Sequence, residues 1–178
     1  PCRSALYLPA SNLRAIEKAR GLPCDAVILD LEDAVAPEAK DAARGGAVAA
    51  FREGGFGERL TVLRVNALDT AWATDDLAAA AALPIDAVLA PKIATAADVV
   101  RYRDRLPGKP LWVMIETARA VANLQPIADA VGAGGALVIG TNDLALEMRC
   151  AGRAALLPLL CLAVAAARAA GLTVLDGV

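Results

Sequence analysis

Short apolar runs alternate along this chain with longer alanine-rich stretches in which apolar residues recur at helical spacing. The short runs predict seven β-strands, at residues 5–8, 26–31, 60–65, 87–90, 111–115, 136–139 and 172–175. The longer stretches predict six helices, at residues 13–20, 37–51, 71–82, 96–105, 121–130 and 154–170. Such alternation is typical of parallel strands joined by helical crossovers, so the pattern predicts an α/β fold.

The same pattern bears on whether the sheet is open or closed. No GxGxxG or GxxxxGK[ST] motif follows the first strand, which removes the best evidence for a nucleotide-binding open sheet. Seven β units are one short of a (β/α)8 barrel, and complete barrels typically run to about 250 residues. The chain also stops just after a predicted strand. We therefore expect one barrel domain over residues 1–178, incomplete at its C-terminus.

Composition and charge narrow the classes of partner. Hydrophobic residues make up 57% of the chain, yet no run reaches the roughly 18–20 apolar residues of a membrane span. The net charge is −2 and there is no basic block, so neither nucleic acid nor an anionic membrane is an expected partner. The four cysteines form no CxxC pair and no export signal is evident, so we expect a cytoplasmic protein.

The sequence contains no histidine, which restricts the chemistry available to the chain. A Ser-His-Asp or Cys-His catalytic pair and a histidine-ligated zinc site are excluded within these residues. A bound metal would need oxygen ligands, which favour magnesium, calcium or manganese. Acid–base chemistry would fall to carboxylates, lysine, tyrosine, a water molecule or the substrate.

Polar residues gather where the predicted strands end. The carboxyl ends of parallel barrel strands open onto one face, where active sites are built, so we expect these side chains to converge there. A simpler explanation, that strands end at water, applies best to Asp176. The residues, in chain order, are Asp30, Glu32, Asp33, Arg64, Asn66, Lys92, Glu116, Asn142, Asp143 and Asp176.

Three of these positions face the predicted interior. Period-two alternation places Arg64 on one face with Leu60 and Val62, and it places Asp30 with Glu32. Charges in such a position cost several kcal/mol unless they are paired or bind a metal. We therefore expect these side chains to pair with one another or to hold a metal ion.

Five short motifs occur in the order that they take in the citrate lyase β-subunit family. This family is part of the HpcH/HpaI aldolase and malyl-CoA lyase group, and the resemblance extends from Arg3 to about Val178. It implies a TIM (β/α)8 barrel. The motifs are Leu29-Asp30-Leu31-Glu32-Asp33-Ala34-Val35, Arg64-Val65-Asn66, Pro91-Lys92, Ile115-Glu116-Thr117-Ala118 and Gly140-Thr141-Asn142-Asp143-Leu144.

The resemblance also implies an activity. It is that of a Mg²⁺-dependent carbon–carbon lyase that cleaves a 3-hydroxyacyl thioester by retro-Claisen chemistry. Citryl-CoA, or citryl bound to an acyl carrier, would give oxaloacetate and an acetyl thioester; malyl-CoA or citramalyl-CoA would give glyoxylate or pyruvate. The implied partners are the oxo acid, the acyl-CoA or acyl-carrier thioester, other copies of the chain (a trimer by family analogy) and the other subunits of a lyase complex.

Site residues follow from the motif matches. The resemblance implies that Glu116 and Asp143 bind Mg²⁺, that Arg64 and Glu116 contact the substrate, and that Tyr7 and Lys18 contact the acyl-CoA. Glu32 and Asp33 match acidic residues near the metal. Glu32, Asp33 or a water on the metal is the general base, and the sequence does not choose among them.

One departure from the family keeps other functions open. The family carries a His-Pro motif near its C-terminus, whereas this sequence has no histidine. One alternative is a CoA-independent metal aldolase that acts on hydroxy-oxo acids. The other is a non-catalytic subunit of a lyase complex.

Overall fold

The computed structural model describes residues 2–177, so the ends of the predicted domain, Pro1 and Val178, lie outside the described residues. A 3-10 turn at Pro37–Ala39 precedes the second helix. The strands are β1 (Ala5–Pro9), β2 (Ala26–Asp30), β3 (Leu60–Arg64), β4 (Ala87–Ala90), β5 (Leu111–Ile115), β6 (Ala136–Ile139) and β7 (Thr173–Leu175). The helices are α1 (Leu13–Ala19), α2 (Lys40–Glu53), α3 (Ala73–Ala82), α4 (Ala96–Arg103), α5 (Ala118–Ala122), α6 (Leu124–Val131), α7 (Thr141–Glu147) and α8 (Arg153–Ala169).

The first of two compact units contains residues 2–89 together with Arg105–Lys109. Its strands β1 to β4 pair in parallel and in chain order, with Ala5 opposite Ala26 and Ala26 opposite Leu60. All five residues of β2 are buried. A strand buried along its whole length is typical of a parallel sheet covered by helices on its faces.

The second unit contains residues 90–104 and 110–177. Its strands β5, β6 and β7 are also parallel and in chain order, with Trp112 opposite Ala136 and Ala136 opposite Thr173. Every residue of β5 and β6 is buried. Both units therefore have the parallel α/β organisation that the alternating pattern predicted.

Side-chain caps explain where several helices begin. Asn12 Oδ1 accepts a hydrogen bond from Ala15 N at 3.1 Å at the start of α1. At the start of α4, Asp98 Oδ2 accepts from Thr95 N at 2.9 Å while Thr95 Oγ1 accepts from Asp98 N, which completes a capping box. Both caps use residue types that are preferred at helix starts, so the local sequence explains these two boundaries.

The helix predictions were wrong at two places. The helix predicted at residues 121–130 is two shorter helices, α5 and α6, which meet at Asn123. Helix α7 was not predicted, because only Gly140 separates it from β6 and it begins within the polar segment Gly140-Thr141-Asn142-Asp143. Such residues favour turns and helix caps as much as helix interiors.

Among residues 2–177, no helix combines the length and apolar character needed to cross a membrane.

Candidate active site

The first polar cluster lies in the first unit and centres on Asp30, the last residue of β2. Asp30 is 1% exposed. Its Oδ1 accepts hydrogen bonds from Glu32 N at 2.8 Å and Arg64 Nε at 2.6 Å. Its Oδ2 accepts from Ala34 N at 3.0 Å and Arg64 Nη2 at 2.6 Å. A carboxylate engaged in this way fixes the turn after β2 and holds the guanidinium in one orientation.

Arg64 ends β3 and lies directly opposite Asp30 in the strand register. Its Nη1 lies 2.8 Å from Glu32 Oε2 and 3.9 Å from Asp33 Oδ2, and the guanidinium carbon is 5.5 Å from the centre of the Tyr7 ring. Burial opposes the charged form, but the hydrogen bond and charge of Asp30, together with the charge of Glu32, raise the pKa of Arg64 above its ordinary value. The pairing of interior charges expected from the sequence is therefore confirmed.

Glu32 and Asp33 occupy different environments in the turn after β2. The Glu32 side chain is 8% exposed and pairs with Arg64, whereas the Asp33 side chain is 58% exposed. Both lie near the guanidinium, so the turn offers one shielded carboxylate and one open to solvent.

A buried carboxylate that sequence reasoning missed supports the end of β3. Asp76 in α3 is 1% exposed, and its Oδ2 accepts hydrogen bonds from Asn66 N at 3.0 Å and Asn66 Nδ2 at 2.6 Å. Arg44 Nη1 donates to Asp76 Oδ1 at 3.1 Å. The sequence did indicate that Asp76 is buried, because helical spacing puts it on the same face as the buried Ala73, Leu77 and Ala80.

The second polar cluster lies in the second unit and begins with Lys92, just after β4. Lys92 has a positive φ of 53°, which is uncommon for a residue with a side chain. Its backbone N donates to Glu116 Oε1 at 2.6 Å. Its Nζ forms an ion pair with Asp143 Oδ2 and lies 3.8 Å from Glu116 Oε2. One cation is therefore within reach of both predicted metal ligands.

Glu116 follows β5 and is 2% exposed. A Cβ atom on Gly140 would lie 2.7 Å from Glu116 Cβ and 2.9 Å from Glu116 Oε2. Gly140 follows β6, so the absence of a side chain there leaves the space that the Glu116 carboxylate occupies.

Asp143 lies in the first turn of α7, and its side chain is 42% exposed. The sequence placed it at the end of the sixth predicted strand; in the structure it lies in the helix after that strand, where it pairs with the Lys92 ammonium. A carboxylate in the first helical turn also interacts favourably with the positive end of the helix dipole.

The second cluster fits a hard divalent cation by the chemistry of its donors. Glu116 Oε2 and Asp143 Oδ2 both lie near the Lys92 ammonium, so the two carboxylates are directed to a common cation. Oxygen ligands of this kind suit Mg²⁺, which is usually bound through one or two carboxylates and several waters. Within residues 2–177, no group of three or more Asp, Glu, Cys or His residues is arranged to hold a metal.

Three other predicted site residues lie in different surroundings. Tyr7 is in β1 next to Arg64. Lys18 is exposed in the last turn of α1. Asp176 follows β7 and forms an ion pair with Arg153.

Comparison with known proteins identifies relatives of this chain. The model of the HpcH/HpaI aldolase/citrate lyase family matches residues 3–178. A (3S)-malyl-CoA thioesterase of Cereibacter sphaeroides is 46% identical over 181 residues, which cover 100% of this chain and 63% of that protein. An L-malyl-CoA/β-methylmalyl-CoA lyase of the same species is 35% identical over 161 residues, which cover 83% of this chain and 51% of that protein. The chain thus spans less than two thirds of the length of these curated relatives.

The fold is also similar to solved structures. The citrate lyase β subunit of Mycobacterium tuberculosis, complexed with oxaloacetate and magnesium, is 31% identical with a TM-score of 0.80. The match covers 97% of this chain and 76% of that one. These findings confirm the resemblance indicated by the five motifs, and the chain belongs to the HpcH/HpaI aldolase/citrate lyase family.

Proposed function

We propose that this chain forms the Mg²⁺- and carboxylate-binding part of an enzyme that acts on CoA thioesters of hydroxy acids, with malyl-CoA as the representative substrate. One observation carries the proposal: Glu116, which follows β5, and Asp143, in the helix after β6, both approach the Lys92 ammonium. The names of the relatives support the substrate class, because two of them act on malyl-CoA.

The metal would be held by Glu116 and Asp143. Two protein carboxylates leave most octahedral positions of Mg²⁺ for water and substrate. When bound, the ion would polarise a substrate oxygen as a Lewis acid. The Lys92 backbone N–H donates to Glu116 Oε1 and orients the carboxylate, whose Oε2 lies 3.8 Å from the Lys92 ammonium.

Arg64 would bind a carboxylate or carbonyl oxygen of the substrate. Asp30 accepts from Nε and Nη2, and Glu32 Oε2 lies 2.8 Å from Nη1, so a substrate acid would share Nη1 with Glu32. Its raised pKa keeps the guanidinium charged throughout the physiological range.

The chain offers Glu32 and Asp33 as proton acceptors. Asp30 is committed to four hydrogen bonds, so it serves as the support for Arg64. Asp33 is the more exposed of the two, and Glu32 is held against Arg64. In carbon–carbon cleavage, the acceptor would remove the proton of the 3-hydroxyl group, the hydroxyl carbon would become a carbonyl, and the departing fragment would be the thioester enolate.

Thioester hydrolysis is a second candidate reaction at the same site. The observation that favours it is the 46% identity to a (3S)-malyl-CoA thioesterase, over the whole of this chain. In that reaction, the acceptor would deprotonate a water that attacks the thioester carbonyl, and CoA thiol would leave. Both reactions require the same substrate acid to be held, so they share the binding residues.

Product analysis separates the two reactions. Full-length protein is incubated with (3S)-malyl-CoA and Mg²⁺, and the products are identified by mass spectrometry. Acetyl-CoA with glyoxylate would establish carbon–carbon cleavage, and malate with free CoA would establish hydrolysis. If neither pair forms and the folded protein binds neither Mg²⁺ nor an oxo acid, the proposal is wrong and a non-catalytic role replaces it.

We extend the proposal to the wider architecture. We expect the strands to belong to a single (β/α)8 barrel domain, which the parallel chain-ordered pairing supports. We also expect a cytoplasmic homo-oligomer in which Tyr7 and Lys18 contact the acyl-CoA. Exposed apolar residues on α8, Leu157 and Leu162, support self-association, which sedimentation of the full-length protein would measure.

A further inference from the structure

Lys40 is a buried lysine that the site described above does not use. It is 6% exposed, and its Nζ donates hydrogen bonds to the backbone carbonyl oxygens of Leu31 and Glu32, each at 2.7 Å. The ammonium also lies 5.2 Å from the centre of the Trp72 ring. Burying an ammonium group is costly unless its donors are satisfied, and here two carbonyls and an aromatic face surround it.

The helix that carries Lys40 does not explain its position. Lys40 is the first residue of α2, where the helix dipole disfavours a positive charge and acidic residues are preferred. Its side chain points away from solvent, although a lysine at a helix start can reach water easily. The position of the Lys40 ammonium therefore does not stabilise α2, and its contacts with the two carbonyl oxygens need another explanation.

The two carbonyls belong to the turn that carries the acidic residues. Asp30 Oδ1 and Oδ2 hold the amides of Glu32 and Ala34 from one side of this turn. Lys40 holds the carbonyls of residues 31 and 32, so the peptide groups around Glu32 are fixed through both their donors and their acceptors. This leaves the Glu32 carboxylate 2.8 Å from Arg64 Nη1.

We propose that Lys40 is a positioning residue that fixes the backbone at Leu31 and Glu32 and thereby orients Glu32 and Arg64 for binding the substrate acid. The inference rests on the proposed function in that it takes Arg64 to bind the substrate. It adds a residue that does not touch the substrate and acts through the backbone.

The test compares two lysines that contact the backbone in the same way. Lys109 Nζ donates to the carbonyl of Leu83 and lies 3.5 Å from that of Ile85, away from the acidic turn. Full-length wild type, Lys40→Met, Lys40→Arg and Lys109→Met are titrated with oxaloacetate in the presence of Mg²⁺ by calorimetry. Amide hydrogen exchange of residues 31–36 is measured on the same samples. If Lys40→Met does not fold, Lys40→Gln, whose amide can still donate to one carbonyl, takes its place.

We expect Lys40→Met to raise the dissociation constant of oxaloacetate about tenfold and to lose exchange protection in residues 31–36. Lys40→Arg should retain most of the affinity. Lys109→Met should change neither the dissociation constant nor the exchange protection, although it should lower the melting temperature. Unchanged affinity in Lys40→Met, or an equal loss in Lys109→Met, would overturn the inference.

Failure of the proposed function has a different signature. If wild type binds no oxaloacetate and forms neither pair of products from (3S)-malyl-CoA, the proposed function is wrong. Hydrogen exchange then decides the positioning role by itself: selective loss of protection in Lys40→Met supports that role, and unchanged protection refutes it.

Discussion

Arg64 and Asp30 form a two-point ion pair between paired positions of β3 and β2, with Nε–Oδ1 and Nη2–Oδ2 distances of 2.6 Å each. The pair is nearly inaccessible to solvent, and it ends two adjacent strands. Removing one partner of such a pair leaves a buried charge uncompensated, which is more costly than the pair itself is stabilising.

The first prediction concerns the stability that depends on this pair. Arg64→Gln should lower the free energy of unfolding by about 3–5 kcal/mol, because Asp30 and Glu32 would remain buried without their cation. Urea denaturation at neutral pH measures the change. Arg3→Gln is the control, since its ion pair with Asp25 is exposed to solvent and should contribute far less. Similar losses in the two variants would contradict the prediction.

The second prediction concerns the metal ligands. Glu116→Gln and Asp143→Asn should each weaken Mn²⁺ binding, and the double variant should abolish it, because a neutral amide is a poorer ligand than a carboxylate. Titration followed by electron paramagnetic resonance of free Mn²⁺ measures this without any substrate.

Asp176→Asn provides the control for that titration, since Asp176 also follows a strand but pairs with Arg153. Its Mn²⁺ affinity should equal that of wild type. An equal loss in Asp176→Asn would show that overall negative charge, and not a defined pair of ligands, attracts the ion.

The third prediction concerns the space beside Glu116. Gly140→Ala would place a methyl group 2.7 Å from Glu116 Cβ, which displaces that side chain and should lower Mn²⁺ affinity about tenfold or more. Gly45→Ala is the matched control, because no atom lies within 4 Å of the added methyl group and Gly45 is inside α2. We expect that control to be neutral or stabilising by about 0.5–1 kcal/mol. Normal metal affinity in Gly140→Ala would exclude this packing argument.

The fourth prediction concerns pH. Hydrogen bonds from Arg3 and from the backbone of Arg3 and Ser4 hold the pKa of Asp25 well below its ordinary value. A carboxyl group with a lowered folded-state pKa adds stability above its unfolded pKa, and this contribution is lost as the pH falls through the folded-state value. The stability difference between wild type and Asp25→Asn should therefore be full above about pH 5 and shrink as the pH falls below about 4.

Urea denaturation at several pH values checks this expectation. The comparison is Asp25→Asn made in an Arg3→Gln background, where the pH-dependent difference should be smaller because the side-chain hydrogen bonds from Arg3 are absent. A difference between wild type and Asp25→Asn that stays constant from pH 7 to pH 3 would refute the assignment.

Much of the fold was predictable because its signals are local. The predicted strands at residues 87–90, 111–115 and 136–139 match β4, β5 and β6 residue for residue, since short apolar runs between polar turns leave little choice of boundary. Helix α7 was missed, because Thr141-Asn142-Asp143 favours caps and turns as much as a helix.

The sequence predicted which residues form the candidate site, but it did not predict the contacts between them. By itself, the sequence determined that Asp30, Arg64, Glu116 and Asp143 lie at or just after the ends of apolar strands, because the strand period and the polarity of each position can be read from the residues. Only the tertiary structure decided that Arg64 meets Asp30, that Lys92 joins Glu116 to Asp143, and that Lys40 turns inward to the carbonyls of residues 31 and 32. The physical reason is that strand register and side-chain direction determine which charged side chains contact each other, and these bring together residues far apart in the chain.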